Sequence, residues 1–351
     1  MTTKTRTRTA HRFATAALLA TATGLSAPPA RADQGGVGYW LPGSFASLAA
    51  APMTPGWSWA FIYLHSSVDA GGNVAASRSI GFPNRNVNLN VNLRADLDAR
   101  ADLGVFSPTY VFATPVFGGQ FAVTVLGIYG RQEATIDAKL NGNLGPIGFA
   151  AERSINQSMW GFGDVFVQPS LRWNQGVHNY MVYAMTSLPV GAYDSTRLVN
   201  LGLGHTAVDV GGGYTYFNRQ SGNEFSFVTG FTYNFENPDI DYKNGIDWHL
   251  DWGASHFFSK QFYAGVAGYA YQQITGDSGS GATLGDFKSR VFGVGPQFGY
   301  LFPAGEMQGL FSVKGYWEFA AENRAEGWNA WVTLAFSPIA PSPKPPPSIR
   351  K

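Results

Sequence analysis

Residues 87–105 read VNLNVNLRADLDARADLGV. The odd positions, Val87, Leu89, Val91, Leu93, Ala95, Leu97, Ala99, Ala101, Leu103 and Val105, are apolar. The even positions from Asn88 to Asp102, including Arg94, Asp96, Asp98, Arg100 and Asp102, are polar or charged. A strand turns successive side chains to opposite faces, so this period of two gathers every apolar group on one side. The run exceeds the roughly 9–11 residues a tilted strand needs to cross a bilayer, which implies a strand that bends or continues beyond the membrane.

The same alternation recurs down the chain. Val165, Val167, Leu171 and Trp173 oppose Asp164, Gln168, Ser170 and Arg172, and Val208, Val210, Tyr214 and Tyr216 oppose His205, Asp209 and Thr215. Phe225, Phe227, Phe231, Tyr233 and Phe235 oppose Glu224, Ser226, Thr232 and Asn234. Trp248, Leu250 and Trp252 oppose Asp247, His249 and Asp251, and Phe311, Val313, Trp317 and Phe319 oppose Gln308, Ser312, Lys314 and Glu318. Together with less regular stretches the pattern predicts about twelve strands (range about 12–14) at 56–66, 87–113, 120–137, 155–173, 178–190, 204–217, 223–235, 244–257, 261–273, 287–301, 307–319 and 327–337. Short links near Gly118, Gln175, Ser221, Ser259 and Ala304 alternate with longer ones near 67–86, 138–154, 191–203, 236–243, 274–286 and 320–326. Outer-membrane barrels show this asymmetry and an even strand number, whereas a soluble sandwich has no cause to sort its loops. The fold expected is therefore all-β, a transmembrane antiparallel barrel.

Composition agrees. Charged residues make up 13% of the chain and aromatic residues 15%, against about 25% charged in an ordinary soluble domain. Much of the surface must face something other than water, yet the mature region holds no apolar run long enough for a membrane helix. Closed barrels are the other way to satisfy backbone groups in lipid. Trp57, Trp59, Trp160, Trp173, Trp248, Trp252, Trp317 and Trp328 fall towards strand ends, where aromatic girdles sit. A net charge of +1 gives no reason to expect a nucleic-acid partner. With no cysteine, disulfides and thiolate metal sites are excluded.

Domain organisation follows from the ends inward. Lys4, Arg6, Arg8 and Arg12 precede an Ala- and Leu-rich stretch and the small-x-small triplet Ala30-Arg31-Ala32, the layout of a signal peptide over residues 1–32. Residues 56–337 form the barrel and the Pro-rich stretch 338–351 reads as an extended or disordered periplasmic tail. Residues 33–55, with Trp40, Pro42 and Phe45, are too apolar to float freely. They are read either as a lumenal plug with one short helix near 44–51 or as a flap over the barrel mouth.

The polar positions share one face, which in a barrel is the lumen: Arg94, Asp96, Asp98, Arg100, Asp102, Asp164, Arg172, His205, Asp209, Glu224, Asp247, His249, Asp251, Lys314 and Glu318. Buried charges need partners, so these form either an ion-pair network across the interior or the lining of a substrate path. Asp247, His249 and Asp251 lie two apart on one face, a set open to metal binding or to service as a pH-sensitive constriction. Outer-membrane hydrolase chemistry would need a serine in reach of an oriented histidine. His205 and Asp209 are spaced too far for a direct bond along one strand, and no nucleophile elbow is present.

Trp40-Leu41-Pro42-Gly43-Ser44-Phe45 with Pro55-Gly56-Trp57, Gly163-Asp164-Val165, Gly212-Gly213-Tyr214-Thr215-Tyr216, Tyr233-Asn234-Phe235-Glu236-Asn237, Asp247-Trp248-His249-Leu250-Asp251-Trp252-Gly253 and Gly295-Pro296-Gln297, taken in order, resemble the family named for the meta-pathway of phenol degradation. The resemblance spans roughly residues 35–337. It implies a transporter-type barrel, distantly like channels for long-chain fatty acids and hydrocarbons, that admits small hydrophobic or aromatic compounds; a general small porin or a structural barrel is the alternative. Expected partners are outer-membrane lipid, the barrel assembly machinery and the transported ligand, with no cofactor.

Overall fold

The computed structural model describes residues 38–82, 85–144, 147–282 and 288–339, with the side chains of 72–95, 144 and 147 excepted. Residues 1–32, read above as a signal peptide, and 340–351 of the Pro-rich tail lie outside the described residues. Twelve strands follow one another: β1 (Gly56–Phe82), β2 (Arg85–Val111), β3 (Gln120–Leu144), β4 (Ile147–Gln175), β5 (His178–Leu188), β6 (Ala207–Asn218), β7 (Asn223–Asn234), β8 (Asp247–Phe257), β9 (Phe262–Gln273), β10 (Arg290–Ala304), β11 (Met307–Glu322) and β12 (Glu326–Pro338). Each pairs antiparallel with its neighbours, and β1 closes on β12 from Trp59↔Phe336 to Asp69↔Glu326. Closure leaves no free edge through the zone that lipid would surround.

The barrel is lopsided. β1 to β4 are 25 to 29 residues long, while β5 to β9 are 11 or 12. β1 loses β12 beyond Asp69, and β4 loses β5 beyond Val165↔Leu188, so the upper parts of the first four strands stand beyond their shorter neighbours. This corrects two expected long links. Most of 67–86 and 138–154 is paired strand, running to Phe82↔Arg85 and Leu144↔Ile147. Ladder bonds join backbone groups and form regardless of side chain, so the absence of regular alternation in 67–82 hid a paired strand. The expected link 320–326 shrinks to 323–325 for the same reason.

Two faces separate cleanly in the lower barrel. Phe61, Phe106, Tyr129, Trp160, Phe162, Phe231, Phe298, Trp317 and Trp328 are exposed on the outside, the apolar and aromatic belt that lipid requires. Ser107, Thr109, Thr215, Ser226, Thr232, Asp251 and Asn329 are buried inside. At the end where β1 begins and β12 finishes, connections 176–177, 219–222, 258–261 and 305–306 are tight; 112–119 is the longest there.

Candidate functional site

Irregular backbone inside a barrel carries N–H and C=O groups that no ladder serves, and each buried one must find a partner. Residues 38–55 pose this problem, and the barrel wall answers it. Asp251 on β8 accepts the Gly43 N–H at 2.9 Å and the Phe45 N–H at 3.0 Å through its two oxygens. From β11, Lys314 Nζ donates to the carbonyls of Gly43 and Ser44 at 2.5 and 2.9 Å. Glu224 on β7 accepts the Leu48 N–H, and Thr215 on β6 accepts the Ala50 N–H, each at 2.9 Å. Gln120 on β3 takes both groups of Met53, accepting its N–H at 2.9 Å and donating to its carbonyl at 2.6 Å. Ser47 meets the hydroxyl of Ser255 at 2.7 Å and the amide of Gln297 at 2.9 Å. A segment held by side chains of strands all round a closed barrel lies inside it.

The short helix expected near 44–51 is absent; the segment is a chain of turns. Its N–H groups are spent on the wall instead of on carbonyls four residues back, so no helical ladder can form. Two local details permit the path. Gly43 has φ +86°, and a Cβ there would lie 2.8 Å from the Tyr316 ring, so only glycine fits. Leu48 also takes a left-handed φ of 66°, a conformation costing about 1 kcal/mol that the bond to Glu224 helps to hold.

Apolar packing reinforces these bonds. Trp40 is buried and stacks on the His249 ring with centroids 3.5 Å apart, and Phe45 also stacks on Trp40, at 5.9 Å. Tyr39 meets Phe166 edge-on at 5.4 Å. Pro42 is buried beside them. Behind Trp40, His249 Nε2 donates to Asp209 at 3.0 Å, and Thr232 donates to the same carboxylate at 2.6 Å. An acidic partner on Nε2 places the proton there.

At the opposite end the loops are tied to the wall and to one another. Asp164 accepts the N–H groups of Gly191 and Leu203, both at 2.8 Å, drawing the 189–206 connection inward. Leu201 and Leu203 join Tyr39 and Trp40 in one buried cluster. Asp277 binds Tyr242, the Gly245 N–H and Gln273, tying the 235–246 and 274–289 connections together.

The residues singled out from the sequence separate into two groups. Asp164, Arg172, His205, Asp209, Glu224, Asp247, His249, Asp251, Lys314 and Glu318 sit on inward-facing positions. Asp96, Asp98, Arg100 and Asp102 do not: on β2 it is Leu103, Val105, Ser107, Thr109 and Val111 that are buried, and the even positions share the outer face with exposed Phe106 and Tyr110. Alternation states which residues share a face and leaves open which face is out. Above the lipid belt both faces are free of hydrocarbon, so charge there follows the outer surface. Asp102 accordingly pairs with His65 at 2.7 Å and Tyr63 at 2.6 Å, two outward groups. The side chain of Arg94 lies outside the described residues.

Among the described residues the inward charges do not form the cross-lumen ion-pair network that was one reading. Among described residues the inward ion pair is His249–Asp209; Asp164, Asp251, Lys314 and Glu224 spend their charge on backbone groups, and Glu318 binds Tyr269 and the Gly327 N–H. Asp247, His249 and Asp251 share a face as their spacing requires, yet each serves a different partner, Asn234, Asp209 and the 43–45 turn. No cluster of metal-ligating side chains occurs among the described residues. The bonds of His205 go to the Leu203 carbonyl and Asn234, those of His249 to Asp209 and Tyr183, leaving neither aligned on a serine. Sequence reasoning placed Thr215 on the polar face without giving it a role, and missed Gln120, Ser255 and Gln297 as wall contacts. Their signal was parity with the charged inward positions, in residues that carry no charge to draw the eye.

Comparison with known proteins places this geometry. A family model described as "Putative MetA-pathway of phenol degradation" matches residues 55–334. An outer membrane channel from Pseudomonas putida F1 superposes with a TM-score of 0.58 at 11% identity, covering 82% of this chain and 97% of that one. A FadL homologue from Pseudomonas aeruginosa aligns at a TM-score of 0.40 and 8% identity, over 80% of this chain and 88% of that one. No curated protein matches the sequence.

Proposed function

The chain belongs to the MetA-pathway phenol-degradation family, is a bacterial outer-membrane barrel, and from these premises we propose that it is a channel for passive uptake of small hydrophobic or aromatic compounds. The observation that carries the reading is the occupied lumen. Residues 38–55, joined to the wall by the chain only where β1 begins, are held by separate side-chain bonds from wall to backbone. Such a segment can shift by exchanging a few bonds at a time. A twelve-stranded barrel filled this way leaves little standing water, unlike a porin of 16–18 strands, which favours ligands that need no aqueous column. That the P. putida neighbour is a channel supports the same reading, as does a lumen rich in Trp40, Phe45, Tyr183, Tyr269 and Tyr316. Outer-membrane lipid around the aromatic belt and the barrel assembly machinery are the partners that go with it.

Uptake of a panel of aromatic and alkyl compounds by a deletion strain, with and without the restored gene, tests the assignment. The expected result is loss of uptake for apolar members and no change for sugars. Steady ion conductance of the purified barrel in planar bilayers with no selectivity among ligands would favour a general small porin instead.

A further inference from the structure

Arg172 is the one inward cation of the described wall that the N-terminal segment leaves unused. Its Nη1 donates to Ser170 at 2.7 Å. Its Nε is buried with no acceptor among the described residues, and no described carboxylate pairs with it. A guanidinium has five donors in a planar fork shaped for a carboxylate, and leaving one buried and underused is costly. Lys314, by contrast, donates to both the Gly43 and Ser44 carbonyls.

The surroundings are built, not incidental. Arg172 lines a partly open cavity of about 310 Å³ at the terminal end of the barrel, with Pro52, Phe112, Pro115, Gln120 and Trp173. One wall is the 112–119 connection, the longest at that end. Its own Val116–Gly119 bridge and the bond from Trp173 Nε1 to the Phe117 carbonyl, 3.1 Å, fix its shape. Pro52 belongs to the N-terminal segment, and Gln120 clamps the next residue, Met53. The cavity therefore sits where that segment leaves the lumen, between it and the barrel wall.

The geometry points to a binding site for a small aromatic carboxylate at the periplasmic mouth, the carboxylate on the Arg172 fork and the ring against Phe112, Trp173 and the prolines. The size suits one ring with a short acidic substituent. Such a site gives a ligand that is both apolar and anionic a last foothold before the periplasm. It rests on the channel reading only for the ligand's route, because equilibrium binding needs no transport.

Calorimetric titration of the detergent-solubilised mature protein with benzoate, benzyl alcohol and acetate at neutral pH tests it. Benzoate should bind saturably and more tightly than either other probe, since each lacks one half of the recognition. Arg172→Gln should weaken benzoate by about tenfold or more, the worth of a lost charge-assisted fork, and leave benzyl alcohol unchanged. Ala113→Trp, which fills the cavity and keeps the arginine, should abolish benzoate binding, and a heat-modifiable gel shift reports that each variant remains folded. Equal affinity for benzoate and benzyl alcohol, or benzoate binding untouched by both substitutions, would overturn the site. A barrel that binds benzoate through Arg172 yet transports nothing would keep the site and sink the channel.

Discussion

β2 and β8 carry the same pattern, apolar and charged side chains in strict alternation, and the barrel turns them opposite ways. On β8 the acids and histidine, Asp247, His249 and Asp251, are buried inside, and Trp248 and Trp252 lie on the other face. On β2 the inside belongs to Leu103, Val105 and Val111, while Asp98, Arg100 and Asp102 lie outward. The difference is what each strand has to serve. β8 borders irregular backbone that needs donors and acceptors, so its charge points in. Asp98 and Arg100 of β2 are exposed where β1 parts from β12 and runs on beside β2 and β3, so their charge meets water.

The strongest way to break this comparison is to remove a β8 charge. Asp251→Ala strips two backbone N–H groups of their acceptor beside Lys314. Breaking such a buried charged contact costs about 3–5 kcal/mol, which urea unfolding in lipid vesicles should register, together with a rise in ion conductance as the 43–45 turn loosens. A smaller effect comes from the turn itself. Gly43→Ala must place a Cβ against Tyr316 at a left-handed φ, a loss of about 1–3 kcal/mol by the same unfolding measurement, again with leakier conductance. Least is expected from β2. Asp102→Ala removes the partner of His65 and Tyr63 on the outer surface, where an exposed pair is worth at most about 1 kcal/mol, and conductance should not change. Because the chain has no native cysteine, labelling sharpens the contrast further. Asp98→Cys should react with a membrane-impermeant maleimide on intact cells, and Asp247→Cys should stay unlabelled in the same interval.

Strand number and most strand positions were legible in the sequence because lipid and lumen impose alternate environments on adjacent residues. Phe225 to Asn234 on β7 shows it, with every second residue buried. The upper extensions of β1 and β4 were illegible because 67–82 and 147–154 carry no sustained alternation, and ladder bonds between backbone groups form without one. The inversion of β2 was legible in principle: its even positions run on through Phe106 and Tyr110, aromatic groups that mark the lipid side. The site was half legible. Charges such as Asp251 and Lys314 announced an interior, but their task, holding backbone and not one another, depends on the fold of residues 38–55, which local sequence pattern does not encode.

The account turns on whether that segment must move for a ligand to pass. Ser47 and Ser255 place their hydroxyls 2.7 Å apart, close enough for Ser47→Cys with Ser255→Cys to form a disulfide that pins the segment to β8. Uptake of an apolar aromatic compound by cells carrying this pair should fall to the level of the deletion strain under oxidation and return on reduction, with either single substitution behaving as wild type. Undiminished uptake with the disulfide fully formed would contradict the account.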